Sequence, residues 1–162
     1  MARIAVVTYG GGHVAMMIPV IHALQKQGHE VVVLGLTTAS RVLHSNAIQH
    51  VGFKELLPLI PEPESAIELG VRLVGNNDSS GPVSYDESVA YMGLSYWDLQ
   101  KYVGPKLAAE KYSELGRQSF LPTQVLRLWL ESVEPDLVVA TNSPRAEQAS
   151  ILAAGSLGIP SL

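Results

Sequence analysis

The stretch GGGHVAMMIPVIHALQKQG, residues 10–28, decides the fold. An apolar run at residues 4–7 leads into it, three glycines and a histidine open it, and a nearly all-apolar segment follows. That pattern reads as strand, tight turn and helix, the first unit of a nucleotide-binding type of α/β domain. Gly10, Gly11 and Gly12 are expected to take positive φ and let a ligand approach the backbone. The helix start offers N–H groups without intrahelical partners, which suit an anion. His13 stands at the mouth of the turn. Imidazole changes charge near neutral pH, so this residue type serves as a general base toward a hydroxyl or as a hydrogen-bond partner of a diphosphate. The alternative is a spacer in a glycine turn.

At 162 residues, with 47% hydrophobic and 16% charged, the chain can bury one ordinary core, so a single domain is expected over residues 1–162. Having no cysteine, it has neither a disulfide scaffold nor a Cys-based zinc site. That composition fits a reducing compartment, and a cytoplasmic location is expected. The first apolar run is too short for a signal peptide, and no run is long enough for a transmembrane segment. A net charge of −4 with eleven scattered Lys and Arg argues against nucleic acid as a partner and provides no basic patch for anionic lipid.

In chain order, residues 3–9 read as a strand buried on both faces, because the apolar residues are continuous. The helix follows at 14–27, apolar all round in its first half and so expected to lie between the sheet and a covering element. Pro19 bends it and Gly28 caps it. Residues 30–36 form a second buried strand, parallel to the first through a right-handed crossover. A short helix at 41–46, a third strand at 53–59 bounded by prolines, and a helix at 64–74 come next. The window 75–85 is an exposed polar loop. A helical insert, about 86–134, then shows Val89, Met92, Tyr96, Leu99 and Val103 at helical spacing, a break at Gly104-Pro105 and a stop at Gly116. A last insert helix carries Leu121, Val125, Leu128, Trp129 and Val133 on one stripe. These stripes read as packing, and an insert of this kind is also where ligand selectivity resides.

The strand at 136–140 returns to the opening pattern, followed by Ser143 as N-cap, Pro144 at the first helical position and a helix at 145–157. Residues 159–162 begin another strand. A natural domain rarely ends there, so the chain is expected to be the N-terminal part of a longer protein. In an open parallel sheet of order 3-2-1-4-5, ligands bind beyond the carboxyl ends of the strands where the order reverses. That brings together His13, Thr141, Asn142, Ser143, Arg145 and Glu147. Ser143 also reads as a cap alone, and Arg145 with Glu147 as a solvated pair. His22 is expected to be partly buried. His29, His44 and His50 show no metal spacing, and no metal is expected.

The Gly-Gly-Gly-His turn, the apolar helix and Gly28-His29-Glu30-Val31 resemble the first unit of two-domain glycosyltransferases of the GT-B fold. That family includes the enzyme adding N-acetylglucosamine to the lipid-linked peptidoglycan precursor and plant natural-product glycosyltransferases. Met16 stands where the family usually has proline. Residues 136–160 are similar to the last unit of such an N-terminal domain. Residues 17–24, MIPVIHAL, also resemble the first helix of non-hydrolysing UDP-N-acetylglucosamine 2-epimerases, although the Arg and Glu of that family's turn are absent here.

The resemblance implies an N-terminal domain that mainly binds a sugar or small-molecule acceptor. It makes His13 the catalytic base and Gly11, Gly12, Thr141, Asn142, Ser143 and Arg145 substrate-binding residues. A nucleotide-sugar donor, such as a UDP-sugar, would be a substrate and not a cofactor, held mostly by an absent C-terminal domain, in polysaccharide or glycoconjugate synthesis without an obligatory metal. On that reading the isolated chain is inactive. The alternatives are an epimerase-like domain and a separately encoded, non-catalytic acceptor-binding subunit.

Overall fold

The computed structural model describes residues 1–75, 81–141 and 145–162. Strand β1, Arg3–Thr8, lies between β2, Glu30–Gly35, and β3, Leu137–Ala140, and both neighbours run parallel to it. The register sets Ile4 opposite Val31 and Leu137, and Val7 opposite Leu34 and Ala140. Beyond these strands Leu34 bridges to Val51 and Val138 to Ser161, again in parallel. The sheet itself has three strands in the order β2-β1-β3, and the flanking bridges extend it in the sense of 3-2-1-4-5, with Val51 beside β2 in place of the strand expected at 53–59. The result is a Rossmann-like open parallel sheet flanked by helices.

Both faces of the sheet are covered, which is why the strands are apolar throughout instead of alternating. On one face Ile4, Val6 and Val33 pack with Val14, Met17 and Ile21 of helix α1, Gly11–Lys26, and with Ala39 and Leu43 of α2, Thr38–Ser45. On the other, Ala5, Val7, Leu34 and Val138 join a larger core. That core is built from α3, Pro63–Val74, α4, Tyr85–Val103, α5, Pro105–Leu115, α6, Thr123–Val133, and α7, Ala146–Ser156. Helix α4 is buried on nearly every side. It crosses α3 where Gly93 and Gly70 stand; a Cβ on Gly93 would lie 2.0 Å from the Ala66 carbonyl oxygen. Only glycine permits that approach.

Several sequence expectations are corrected. Residues 53–59 are not a strand: Lys54–Leu59 is a 3₁₀ turn. The Glu87 carboxylate accepts the Phe53 and Lys54 N–H groups at 2.7 and 3.1 Å, which fastens the start of that turn. Phe53, Leu56 and Ile60 then reach the core at helical spacing. Helix α1 begins at Gly11, and Gly10 is extended with φ −110°; none of Gly10, Gly11 and Gly12 takes positive φ. Its outer face is not covered, for Met16 is 61% exposed, and Val20 and His22 are exposed beside it. On α6 the buried stripe is Val125, Leu126, Trp129 and Leu130, while Leu121, before Pro122 and outside the helix, is exposed. Residues 76–80 of the polar window lie outside the described residues. Among the described residues no helix is long and apolar enough to cross a membrane.

Candidate functional site

The carboxyl ends of β1, β2 and β3 meet around a residue the sequence reading treated as ordinary strand, Tyr9. Its N–H donates to Glu147 Oε1 at 3.0 Å and its carbonyl accepts the Thr37 hydroxyl at 2.6 Å. Its phenol oxygen accepts from the Arg145 guanidinium at 3.3 Å, and its ring meets Tyr91 edge-on at 5.8 Å. Tyr9 thus ties together the turns after all three strands. Thr37 holds its position at φ 52°, a conformation that β-branched residues rarely adopt, so its backbone is strained where β2 ends. The neighbouring Thr38 Oγ1 accepts the Gly11 N–H at 3.1 Å. That contact replaces the positive-φ turn expected of the three glycines, and it leaves Gly12 and His13 as first-turn amides with no intrahelical acceptor. A Cβ on Gly12 would meet nothing within 4 Å, so that side of the turn is open.

Strand order brings His13 against Thr141, 128 residues away in sequence: His13 Nδ1 lies 3.3 Å from Thr141 Oγ1. The Thr141 hydroxyl donates to Glu147 Oε1 at 2.8 Å. With its proton committed to the carboxylate, the same oxygen accepts from His13 Nδ1–H. The tautomer selected in this way carries its lone pair on Nε2, the arrangement of an oriented general base. Glu147 is 0% exposed and shares its oxygen between Tyr9 and Thr141. The solvated Arg145–Glu147 pair is thereby corrected: Glu147 turns into the sheet edge, while Arg145 turns to the Tyr9 hydroxyl, with its guanidinium 5.8 Å from that ring centre. Asn142, Ser143 and Pro144 lie outside the described residues. Helix α7 starts at Ala146, with Arg145 in the cap position at φ 73°.

Beside these strand ends lies a cleft of about 440 Å³, on whose walls stand Tyr9, Thr37, Thr38, Tyr91 and Arg117. Burial first, and then the neighbouring Tyr9 hydroxyl, push the Tyr91 hydroxyl above its usual titration range, against Arg145 and Arg117, which pull it down. Tyr91 therefore keeps its proton and is available as a donor. Neither Tyr9 nor Tyr91 was marked by spacing. The available signal for Tyr9 was an aromatic residue at the carboxyl end of the first buried strand, where ligands of such sheets collect. Among the described residues no group of three or more His, Asp or Glu side chains is placed to hold a metal ion.

No protein-family model and no curated protein matches the chain. Among solved structures it is similar to SsfS6, a glycosyltransferase of Streptomyces sp. SF2575, with a TM-score of 0.48 and 17% identity. The likeness covers 99% of this chain and 38% of that one, so the chain spans well under half of that enzyme's length. At this similarity neither fold nor substrate passes from that protein to this one; the fold rests on the sheet described above.

Proposed function

We propose that the chain is the N-terminal, mainly acceptor-binding part of a nucleotide-sugar-dependent glycosyltransferase, with His13 as its base. The observation that supports this reading is the line of hydrogen-bond contacts from the buried Glu147 through Thr141 to His13, the imidazole at the glycine turn. In the reaction, His13 Nε2 takes the proton of an acceptor hydroxyl as its oxygen bonds to the anomeric carbon. The bond from that carbon to the nucleoside diphosphate breaks, and the leaving oxygen keeps the electron pair. On this reading Gly11, Gly12, Thr141 and Arg145 bind the acceptor, Asn142 and Ser143 are proposed to join them, and a C-terminal domain outside this chain holds most of the donor.

The test is release of nucleoside diphosphate from a UDP-sugar by the whole protein in the presence of candidate hydroxyl acceptors. His13→Ala should lower kcat by about two to four orders of magnitude, the range of a lost general base, while the thermal unfolding curve stays in place. A His13→Ala protein with nearly full turnover would reduce the histidine to a spacer.

A further inference from the structure

The cleft beside Tyr9 contains a combination that the transfer step leaves unused. Tyr91 is only 4% exposed, and its hydroxyl makes no hydrogen bond of ordinary length among the described residues, the Tyr9 hydroxyl and the Arg145 guanidinium being its polar neighbours. Buried hydroxyls are nearly always paired, so an unpaired one on a cleft wall points to a group that comes from outside. Arg117 stands on the same wall, in the 3₁₀ turn Gly116–Ser119, and takes part in no ion pair among the described residues. Among the described residues no Asp or Glu lines the cleft. Arg145, behind the Tyr9 ring, adds a second guanidinium close to the Tyr91 hydroxyl. In a chain of net charge −4 this is a local concentration of positive charge and hydroxyl donors with no carboxylate among the described residues of the cleft wall.

We propose that this cleft binds an oxyanion, a carboxylate or a phosphate carried by the acceptor, with the Arg117 guanidinium and the Tyr91 hydroxyl as its donors. A guanidinium presents a planar fork that matches both anions, and charge-assisted bonds of this kind are the stronger ones. A neutral polyol would satisfy Tyr91 but leave the exposed Arg117 guanidinium to water. The inference rests on the transferase reading for naming the occupant as the acceptor; the anion chemistry follows from the cleft alone.

The experiment is an NMR titration of the full chain with methyl phosphate and, separately, with acetate, at an ionic strength held constant with chloride. The expected result is saturable binding with a Kd of about 1 mM or tighter, centred on Tyr91 and Arg117; the tighter of the two probes names the anion class. Arg117→Gln and Tyr91→Phe should each weaken it at least about tenfold, roughly the loss of one charge-assisted bond. Arg127→Gln, which removes the same charge from the exposed face of α6, should leave it unchanged. Absence of saturation with both probes, or equal weakening by Arg127→Gln, would overturn the proposal. The titration requires neither donor nor turnover. Anion binding without glycosyl transfer would defeat the transferase reading alone, and transfer without anion binding would defeat this inference alone.

Discussion

Two side chains show how burial and hydrogen bonding divide the labour in this molecule. Thr141 sits between a buried carboxylate and an imidazole, and Thr141→Val removes both contacts while preserving shape. On the transferase reading, kcat should then fall about tenfold, equivalent to about 1.4 kcal/mol, with KM little changed; steady-state kinetics on the whole protein measure this, and an unchanged kcat would detach Thr141 from the chemistry. Asp98, 2% exposed, caps α6 from a different helix, accepting the Val125 N–H at 2.8 Å. Burial pushes its carboxyl up to about 7, against the hydrogen bonds from Val125 and Gln124 that pull it down. The native state thus holds this proton more tightly than the unfolded chain does. Its contribution is full below the unfolded carboxylate value, about 4, and is lost as pH rises from there through about 7. Asn at this position keeps an acceptor for the Val125 N–H and cannot ionise. Urea unfolding at pH 5 and pH 8 should show the wild type losing on the order of a few kcal/mol more than Asp98→Asn. Equal losses in the two proteins would exclude Asp98 as the source.

Helices α3 and α4 are joined by contact between their backbones. Gly70 and Gly93 face the partner helix so closely that a Cβ on Gly70 would stand 2.1 Å from the Val89 carbonyl oxygen, and one on Gly93 2.0 Å from that of Ala66. Since backbone cannot swing aside as a side-chain tip can, Gly93→Ala must separate the helices. The higher helix propensity of alanine, about 1 kcal/mol, does not offset overpacking of this severity. A net destabilisation of about 2–3 kcal/mol is expected, read as a lower urea midpoint at unchanged slope. Gly12→Ala, where an added Cβ meets nothing within 4 Å, is the control that should fold normally. The crossing matters for the site because α4 carries Tyr91, and its displacement would carry that hydroxyl away from Tyr9 and Arg145. Glu87 supports the same region from the other end of α4 by holding the start of the 3₁₀ turn at Lys54–Leu59.

Taken whole, the molecule places its polar constellation at one edge of an open sheet, with cleft walls supplied by the helical insert. The proposed division of roles has a direct consequence. If the donor is held mainly by another domain, this chain alone should show no glycosyl transfer and only feeble affinity for UDP-glucose or UDP-N-acetylglucosamine. Calorimetric titration checks this, and saturable binding tighter than about 10 μM would move the donor site into this chain. The resulting reading would be a complete small nucleotide-binding protein.

Local chemistry made much of the architecture legible. Continuous apolar runs marked β1, β2 and β3 because a strand covered on both faces has no polar positions. Gly28, Gly104, Gly116 and Gly158 marked helix ends and all take positive φ there, as glycine at a helix terminus does. The parallel order followed from the crossover, and with it the meeting of His13 and Thr141. Other features depended on partners distant in sequence. The 3₁₀ turn at Lys54–Leu59 forms because Glu87, more than thirty residues on, accepts its first amides; proline bounding alone was compatible with a short strand. The uncovered outer face of α1 is invisible in an apolar sequence, since hydrophobicity says that a residue tolerates burial and not which neighbour covers it. Glu147 read equally well as half of a solvated pair, and only the adjacency of two strand ends supplies the Tyr9 N–H and Thr141 hydroxyl that hold its carboxylate inside. Periodicity and caps are properties of neighbours along the chain, whereas the partner of a buried polar group is chosen by the packing of distant elements.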